Sequence, residues 1–381
     1  VNISGWEDEN VKIGIITWFG GGNYGTNLQA IALQGYLRKL GYSVQLLNFE
    51  IEAPKKEKLS FLQKIKRQPQ KYAIKYALKK YKTQIETRYQ KMKAEIQRNC
   101  VFTEKITSEQ NYIDVCNKCD ILICGSDQIW NPNWYHRFYY ADYDQIQSRI
   151  ISYAPSMGVN AIREEQADEI KRSLSRLSAV SVREKKGVAL LKSLSLQEPA
   201  VVVDPTLLLD AKDWNAIFPT QKPCEEKYIL SMFLTDNASH WRAAQIFAKS
   251  TGLKQIVIPY CGFSYFQNAE IKVDTGIQDF LNLIRGAEYI LTDSFHVTVF
   301  SLIYRKQFYT FERFKEDAFS SQNERIRNIL EIANVSDRLV PYGTNRIDFK
   351  NDIKYNAVVD TLNIEIEKSK VFLYKAIGNC K

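Results

Sequence analysis

Histidine and methionine are scarce in this chain, with three of each among 381 residues. The seven cysteines are an odd number spread through a long chain, which argues against a disulfide framework. Cys116 and Cys119 have the spacing of a zinc knuckle, but no second pair and no nearby histidine completes four ligands. Disulfide-stapled and zinc-finger proteins are therefore disfavoured, and each histidine becomes conspicuous.

Long apolar runs are also absent. No stretch approaches the roughly 20 apolar residues that a membrane-spanning helix needs, and the first residues lack the charged-then-apolar pattern of a secretion signal. The 45% hydrophobic and 25% charged residues are the usual proportions of a globular protein. We therefore expect a cytoplasmic protein, and its length predicts two domains rather than one.

The net charge of +9 is concentrated in one segment. Residues 51–98 contain fifteen Lys or Arg and four Asp or Glu, which gives +11, so the remainder of the chain sums to −2. The helical spacing of its apolar residues indicates a helical insertion. It is either a solvated helix pair or a basic amphipathic surface that contacts anionic lipid or a phosphorylated acceptor. We expect no nucleic-acid partner, because no recognised binding motif accompanies the charge.

Apolar runs alternate with helical patterns, which predicts an α/β fold of two Rossmann-like doubly wound domains around a cleft. We expect a first domain at 11–204, a linker at 205–227 and a second domain at 228–381 that ends in a helix. The predicted strands are Val11–Thr17, Ser43–Phe49, Asp120–Cys124, Arg149–Tyr153, Ala179–Val182, Ala200–Val203, Tyr228–Leu234, Gln255–Pro259, Tyr289–Thr292 and Gln307–Phe311.

His296 lies where an apolar strand pattern meets a helix pattern. In an open α/β sheet this junction is the usual ligand site, and free N–H groups at the helix start favour an anion. Since histidine titrates near neutrality, we predict a catalytic role for His296. The alternative is a satisfied, partly buried histidine, with Asp293 and Ser294 as N-cap groups.

Glycines follow the first predicted strand. Gly20 to Gly25 have the spacing G-x-G-x-x-G, and Glu50 ends the second strand, as in dinucleotide-binding proteins. The match is imperfect because Glu50 lies 25 residues beyond Gly25, where about 20 is usual. We expect instead that the glycines let the backbone approach a ligand, with Asn23 and Asn27 supplying polar contacts.

Two further strand ends carry polar side chains. The group after the third strand suits a hydroxyl-rich ligand such as a sugar, although a self-bonded turn is an equal alternative. This group is Ser126, Asp127, Gln128 and Asn131. Arg183 can form bidentate hydrogen bonds to a carboxylate or phosphate, or an ion pair with Glu184 at a helix start. We interpret Asp204, before Pro205, as mostly structural.

Six short motifs occur in order within about residues 11–335. They are Asn23–Gly25 with Leu28–Ala30, Gly125–Asn131, Ser152–Gly158, Val182–Glu184, Asp204–Leu209 and Thr292–His296. Together they resemble the polysaccharide pyruvyl transferase family, although no single motif is specific. The resemblance implies a fold like that of GT-B glycosyltransferases. It also implies transfer of a pyruvyl group from phosphoenolpyruvate to two hydroxyls of a glycan sugar, which forms a ketal and releases phosphate.

This chemistry implies roles for individual residues. The donor carries a carboxylate and a phosphate, and its protonation requires a general acid, for which His296 is the candidate. Arg183 matches the arginine of the family's Val-Arg-Asp/Glu motif and would hold the donor anion. No metal or organic cofactor is implied. The acceptor would be a saccharide, free or lipid-linked, with residues 51–98 facing the inner surface of the plasma membrane. The expected substrate-binding residues are Arg183, Asn23, Gly25, Asn27, Ser126, Asp127, Gln128, Asn131, Asp293, Ser294 and Arg325.

One triplet departs from the family pattern. Characterised ketal-forming members resemble one another in an Arg-Leu-His motif, and the corresponding residues here are Ser294-Phe295-His296. Either Arg313 or Arg325 would replace the missing arginine, or Ser294 and backbone amides would hold the donor. Two alternatives stay open: a GT-B-type glycosyltransferase that uses a nucleotide sugar, and a non-catalytic glycan- or membrane-binding protein.

Overall fold

The computed structural model describes residues 11–49, 68–220, 226–316 and 322–378. Glu50 and residues 51–67 of the basic segment lie outside the described residues. Within the described part of the chain, no helix is long and apolar enough to cross a bilayer.

A parallel five-stranded sheet forms the first half of the chain, in the order β3-β2-β1-β4-β5. The central strands are almost entirely buried apolar residues, as expected where helices cover both faces of a sheet. The strands are β1 (Lys12–Ile16), β2 (Ser43–Phe49), β3 (Phe102–Ile106), β4 (Ile121–Cys124) and β5 (Arg149–Ser152). A short parallel pair, β6 (Ser181–Val182) and β7 (Ala200–Val201), lies beside β5, to which residue Ala179 is bridged.

Among the described residues, six α-helices accompany this sheet. The first of them begins where the Asn23 side chain accepts from the backbone N–H groups of Gly25 and Thr26, at 3.0 and 3.3 Å. The helices are α1 (Tyr24–Lys39), α2 (Gln68–Lys80), α3 (Lys82–Asn99), α4 (Glu109–Cys116), α5 (Glu164–Ser175) and α6 (Lys185–Ser193). The described part of the basic segment therefore consists of α2 and α3, two helices between β2 and β3.

The segment predicted as a linker, 205–227, is largely folded and packed against the rest of the protein where the structure describes it. Pro205–Leu208 forms a 3-10 turn, and α7 (Ala211–Ile217) begins at a capping box between Asp210 and Asp213. Trp214 of this helix is fully buried. The prolines therefore lie within a folded connection between the two sheets.

A second parallel sheet has the order β10-β9-β8-β11-β12-β13. Its strands are β8 (Tyr228–Met232), β9 (Lys254–Val257), β10 (Glu270–Ile271), β11 (Tyr289–Thr292), β12 (Gln307–Phe311) and β13 (Leu339–Val340). The helices that follow α7 are α8 (Ala238–Thr251), α9 (Ile277–Gly286), α10 (Phe295–Ile303), α11 (Asn323–Ile332) and α12 (Tyr355–Gly378). The α/β class predicted from the alternation is confirmed, and β2, β11 and β12 have the predicted bounds.

Each half has a buried apolar cluster of its own, and the two halves also share an apolar core. Its side chains come from both sheets, and the Tyr24 ring of α1 stacks on Phe280 of α9 at 4.5 Å. Glu95 of α3 accepts from the first backbone N–H groups of α9. The C-terminal helix returns to the first half, where Ser369 accepts from the backbone N–H of Val203 at 2.9 Å. Each half therefore contributes one helix, α3 or α12, that contacts the other half.

Candidate active site

The loops that follow β1 and β11 meet at the boundary between the two sheets. His296, in the first turn of α10, lies directly against Gly25 in the first turn of α1. A Cβ atom placed on Gly25 would be 2.0 Å from Nδ1 of His296, well inside any real contact distance. Only glycine therefore allows the imidazole to occupy this position.

Asp204 lies on the other side of the His296 ring. Its Oδ2 is 3.5 Å from Nε2 of His296 and accepts from Nη1 of Arg183 at 2.6 Å. Its Oδ1 accepts from the Thr206 backbone and hydroxyl. Burial alone would raise the pKa of Asp204, but the charges of a protonated His296 and of Arg183, with the Thr206 bonds, hold this pKa well below its ordinary value. Asp204 thus bonds its own turn, as expected, and also joins the two residues predicted to act on the donor.

Arg183 is buried at the end of β6, with 2% of its side chain exposed. Besides Asp204, it lies 3.8 Å from Asp127 and 3.8 Å from Glu184, and its guanidinium stacks over the Phe295 ring at 4.7 Å. Burial lowers the pKa of Arg183, but the neighbouring carboxylates outweigh that effect and raise it. Among the residues that the structure describes, none forms a hydrogen bond with Nε or Nη2 of this guanidinium. These buried donors can therefore receive an anion.

The alternative pairing of Arg183 with Glu184 is weak at that separation. Glu184 instead accepts a 2.6 Å hydrogen bond from the Ser156 hydroxyl. The short distance to Asp204 shows which carboxylate holds Arg183.

Arg325 of α11 completes the pocket from the second half. The pocket is lined by Arg183, Glu184, Asp204, Phe295 and Arg325 together with apolar side chains of α11. Burial and repulsion from Arg183 and Arg313 lower the pKa of Arg325 to about 9. An anion bound in the pocket would relieve that cost, since it would stabilise the charged guanidinium.

A layer of amides connects the halves beside Arg325. When the Gln128 amide is oriented with its oxygen toward Arg325, it accepts from both terminal guanidinium nitrogens at 2.9 Å. Gln322 accepts from Arg325 and, at 2.8 Å, from Arg313. Gln322 was not singled out from the sequence, because a lone glutamine outside a predicted element carries no signal.

Several of the predicted substrate-binding side chains form bonds within the protein. Asn23 caps α1, and Asn27 accepts from the Gly20 backbone at 2.7 Å, which fixes the glycine loop. The Ser126 hydroxyl donates to the Ala154 carbonyl at 2.9 Å. Asn131 accepts from the Asn133 backbone N–H, and Asp127 accepts from the Thr26 hydroxyl. These side chains shape the loops around the pocket.

Asp293 and Ser294 differ in their surroundings. The buried Asp293 carboxylate accepts from the Leu234 backbone at 2.6 Å and from the Thr235 hydroxyl at 2.7 Å. Burial raises the pKa of Asp293, although Arg313 and these bonds oppose the rise. Ser294 occupies the N-cap position of α10, but its side chain makes no capping bond. Asp293 therefore joins strand ends of the second sheet, and Ser294 lies at the start of the helix that carries His296.

Cys116 and Cys119 are free thiols. Burial raises the pKa of both, to about 12 and about 11 respectively. Among the residues that the structure describes, no group of three or more His, Cys, Asp or Glu side chains could hold a metal ion.

The family model for polysaccharide pyruvyl transferase matches residues 23–313. The chain belongs to the polysaccharide pyruvyl transferase family. The matched range contains Gly25, Arg183, Asp204 and His296, the residues that meet at the boundary between the sheets. This family member is accordingly a transferase of polysaccharide biosynthesis with a polysaccharide acceptor.

Solved structures, among them UDP-N-acetylglucosamine 2-epimerases, share the overall fold. A putative one from Listeria monocytogenes has a TM-score of 0.51 and 9% identity, and covers 95% of this chain and 89% of its own. The enzyme from Rickettsia bellii has a TM-score of 0.51 and 11% identity, covering 97% and 96%. The S. aureus MnaA–UDP co-structure has a TM-score of 0.50 and 13% identity, covering 96% and 91%. These similarities show a GT-B-like fold. Among curated proteins, no sequence matches this chain significantly.

Proposed function

We propose that this family member transfers a pyruvyl group from phosphoenolpyruvate to two hydroxyls of a saccharide, which forms a ketal and releases phosphate. The observation that carries the proposal is the joining of His296 and Arg183 through Asp204 beside a buried pocket. A proton donor and an anion-binding guanidinium are the two groups that this donor requires.

The donor anion would be held by Arg183 and Arg325, whose cavity of about 10 Å³ would have to widen to admit it. Nε and Nη2 of Arg183, with which no described residue forms a hydrogen bond, support this role, as does the lowered pKa of Arg325, because both features favour a bound anion. We propose that Arg325 takes the place of the arginine that the family's Arg-Leu-His motif has where this chain has Ser294. The N–H groups at the start of α10 add further donors.

His296 would act as the general acid. It would give its proton to the methylene carbon of phosphoenolpyruvate, and a first saccharide hydroxyl would add to the neighbouring carbon. A second hydroxyl would displace phosphate to close the ketal. Of the two hydroxyl protons, one restores His296 and the other leaves with phosphate. Asp204, whose Oδ2 lies 3.5 Å from Nε2, would hold the imidazole in position.

The acceptor would lie against the glycine loop. Gly20 and Gly21 have positive φ, and a Cβ on either would meet no atom of the described residues within 4 Å, so the described part of the chain leaves space beside the loop. The Trp18 and Trp134 rings lie 5.4 Å apart at the carboxyl ends of β1 and β4, and Trp134 is exposed. Such aromatic surfaces are common in ligand sites and suit the face of a sugar ring.

The acceptor would be a precursor of a cell-surface polysaccharide, free or lipid-linked. We propose that the protein works in the cytoplasm, at the inner face of the plasma membrane when the acceptor is lipid-linked. The concentrated positive charge of residues 51–98 supports this location.

The proposal is tested by phosphate release from phosphoenolpyruvate across a panel of free and lipid-linked saccharides. Release should require a saccharide, and His296→Ala should reduce it by about 10²- to 10⁴-fold, the usual contribution of a general acid. His136→Ala is the matched control, because His136 is half-buried in a 3-10 turn of the first half and should leave the rate unchanged.

Unchanged phosphate release in His296→Ala would remove the histidine from the mechanism. Thermal stabilisation by a nucleoside diphosphate, but not by phosphoenolpyruvate, would favour a glycosyltransferase instead.

A further inference from the structure

The α2 helix exposes large apolar side chains. Tyr72 is 68% exposed, Tyr76 57%, Leu78 52% and Ile74 41%. Apolar side chains of a surface helix usually face the core, so four outward-facing ones within 13 residues are unusual.

Packing on the opposite face fixes this orientation. Ala77 is buried in a small cluster with Ile85, Tyr265 and Val273, and α2 lies against the turn Gly262–Phe266 of the second half. Small residues therefore form the buried face of the helix, and the larger apolar side chains are exposed.

A line of lysines runs along the exposed side. Lys71, Lys75 and Lys79 recur every four residues, a spacing that places them in a row on a helix. Helical geometry puts Tyr72 and Tyr76 on one side of this row and the aliphatic pair on the other. No Asp or Glu occurs in Gln68–Lys80, so the lysines repel one another and attract anions.

The apolar surface continues onto the second half of the chain. Phe266 is 47% exposed, and its ring lies 5.8 Å from that of Tyr76. The outer face of α2 together with Phe266, here called the docking face, thus spans both halves of the molecule.

We propose that the docking face binds an anionic phospholipid membrane. Lysines would reach the lipid phosphates while tyrosine and aliphatic side chains enter the boundary between headgroups and acyl chains, as in interfacial amphipathic helices. A soluble phosphorylated ligand would account for the lysines but not for the exposed apolar side chains beside them. The combination of positive charge and apolar area is complementary to an anionic lipid surface.

A membrane-bound docking face would hold the protein at the surface that carries a lipid-linked saccharide. That consequence rests on the proposed function, whereas membrane binding itself does not. The two can therefore fail separately.

The experiment is co-sedimentation of the full chain with vesicles of pure phosphatidylcholine, or of equal parts phosphatidylcholine and phosphatidylglycerol. We expect binding only to the anionic vesicles, and weaker binding as salt is raised. The triple variant Lys71→Glu, Lys75→Glu, Lys79→Glu should bind at least about tenfold more weakly, since each basic residue near an anionic surface contributes several-fold in affinity. Tyr72→Ser with Tyr76→Ser should reduce the binding that persists at high salt.

The matched control is Lys212→Glu, Lys249→Glu, Lys375→Glu, which changes net charge equally at exposed positions on other helices. Circular dichroism confirms that each variant is folded. Equal binding to neutral and anionic vesicles, or equal binding by the two triple variants, would contradict the proposal that the docking face binds an anionic membrane. Phosphate release from phosphoenolpyruvate with a soluble saccharide is measured on the same proteins, so a failed transfer reaction and a failed membrane interaction are distinguished.

Discussion

At the scale of single residues, the position of His296 depends on the absence of a side chain at Gly25. Three ring atoms of His296 lie within 2.6 Å of where the Gly25 Cβ would be. The contact joins helices that begin on different sheets, so a shift of either helix moves the imidazole relative to Asp204. The glycine was expected to let the backbone approach a ligand, and in the structure it lets the backbone approach the histidine.

Gly25→Ala should displace His296 and reduce phosphate release by about 10²-fold or more, because a misplaced catalytic group loses most of its effect. The comparison is Gly35→Ala in the same helix, where the nearest atom to a new Cβ is 3.9 Å away. That change should leave activity intact and raise stability by up to about 1 kcal/mol, since alanine is the better helix former. Steady-state kinetics and urea unfolding measure the two effects, and equal activity of both variants would contradict the steric account.

The sequence could place Arg183 and His296 but not the residues that join them. Arg183 and Asp204 follow β6 and β7, two very short strands whose pairing becomes evident only in the folded chain. Arg325, named from the sequence as a possible replacement for the missing arginine, reaches the same pocket from α11, more than a hundred residues later. No local pattern encodes that approach. Motif order identified the family, whereas the geometry of its site depends on contacts between distant segments.

At the scale of elements, apolar runs predicted the buried strands and failed at the sheet edges. β3 (Phe102–Ile106) was missed because it is an edge strand with Glu104 and Lys105 exposed to solvent. β10 and β13, the two-residue edge strands of the second sheet, were also missed. Hydrophobic periodicity reports burial, so it identifies a strand only where both faces or one whole face are covered.

Glu95 of α3 substitutes for a local N-cap at α9. The helix follows Gly276, which has no side chain to accept its first N–H groups, and Glu95 accepts those of Ile277 and Gln278 at 2.6 and 2.9 Å. Glu95→Ala should therefore destabilise the protein by about 1–2 kcal/mol in urea unfolding, the usual cost of a lost N-cap with its charge. Glu95→Gln should cost less, because one acceptor oxygen remains.

Glu86→Ala is the control for that measurement. Glu86 lies on the same helix, exposed, with a loose 3.8 Å ion pair to Lys82, so its loss should change stability by less than about 0.5 kcal/mol. If Glu95→Ala and Glu86→Ala were equally mild, the capping contact would have no energetic importance.

At the scale of the whole molecule, hydrogen bonds and apolar contacts join the two halves. α3 precedes β3 in sequence but donates from Arg88 to the Pro259 carbonyl of the second half at 2.8 Å. α12 follows the second sheet but contacts Val203 of the first half through Ser369. The boundary expected near 205–227 separates the sheets along the chain, while packing continues across it through the fully buried Trp214, whose ring meets Phe300 at 5.0 Å.

This shared core predicts that the chain unfolds in a single step. In differential scanning calorimetry, the calorimetric and van't Hoff enthalpies should agree, although two-domain proteins commonly show separate transitions. Glu95→Ala should shift the one peak to lower temperature without splitting it, because the stacking of Tyr24 on Phe280 and the return of α12 remain. Two resolved peaks in the wild type, or a peak that splits in the variant, would show that each sheet folds on its own and that α3 and α12 contribute little to the coupling.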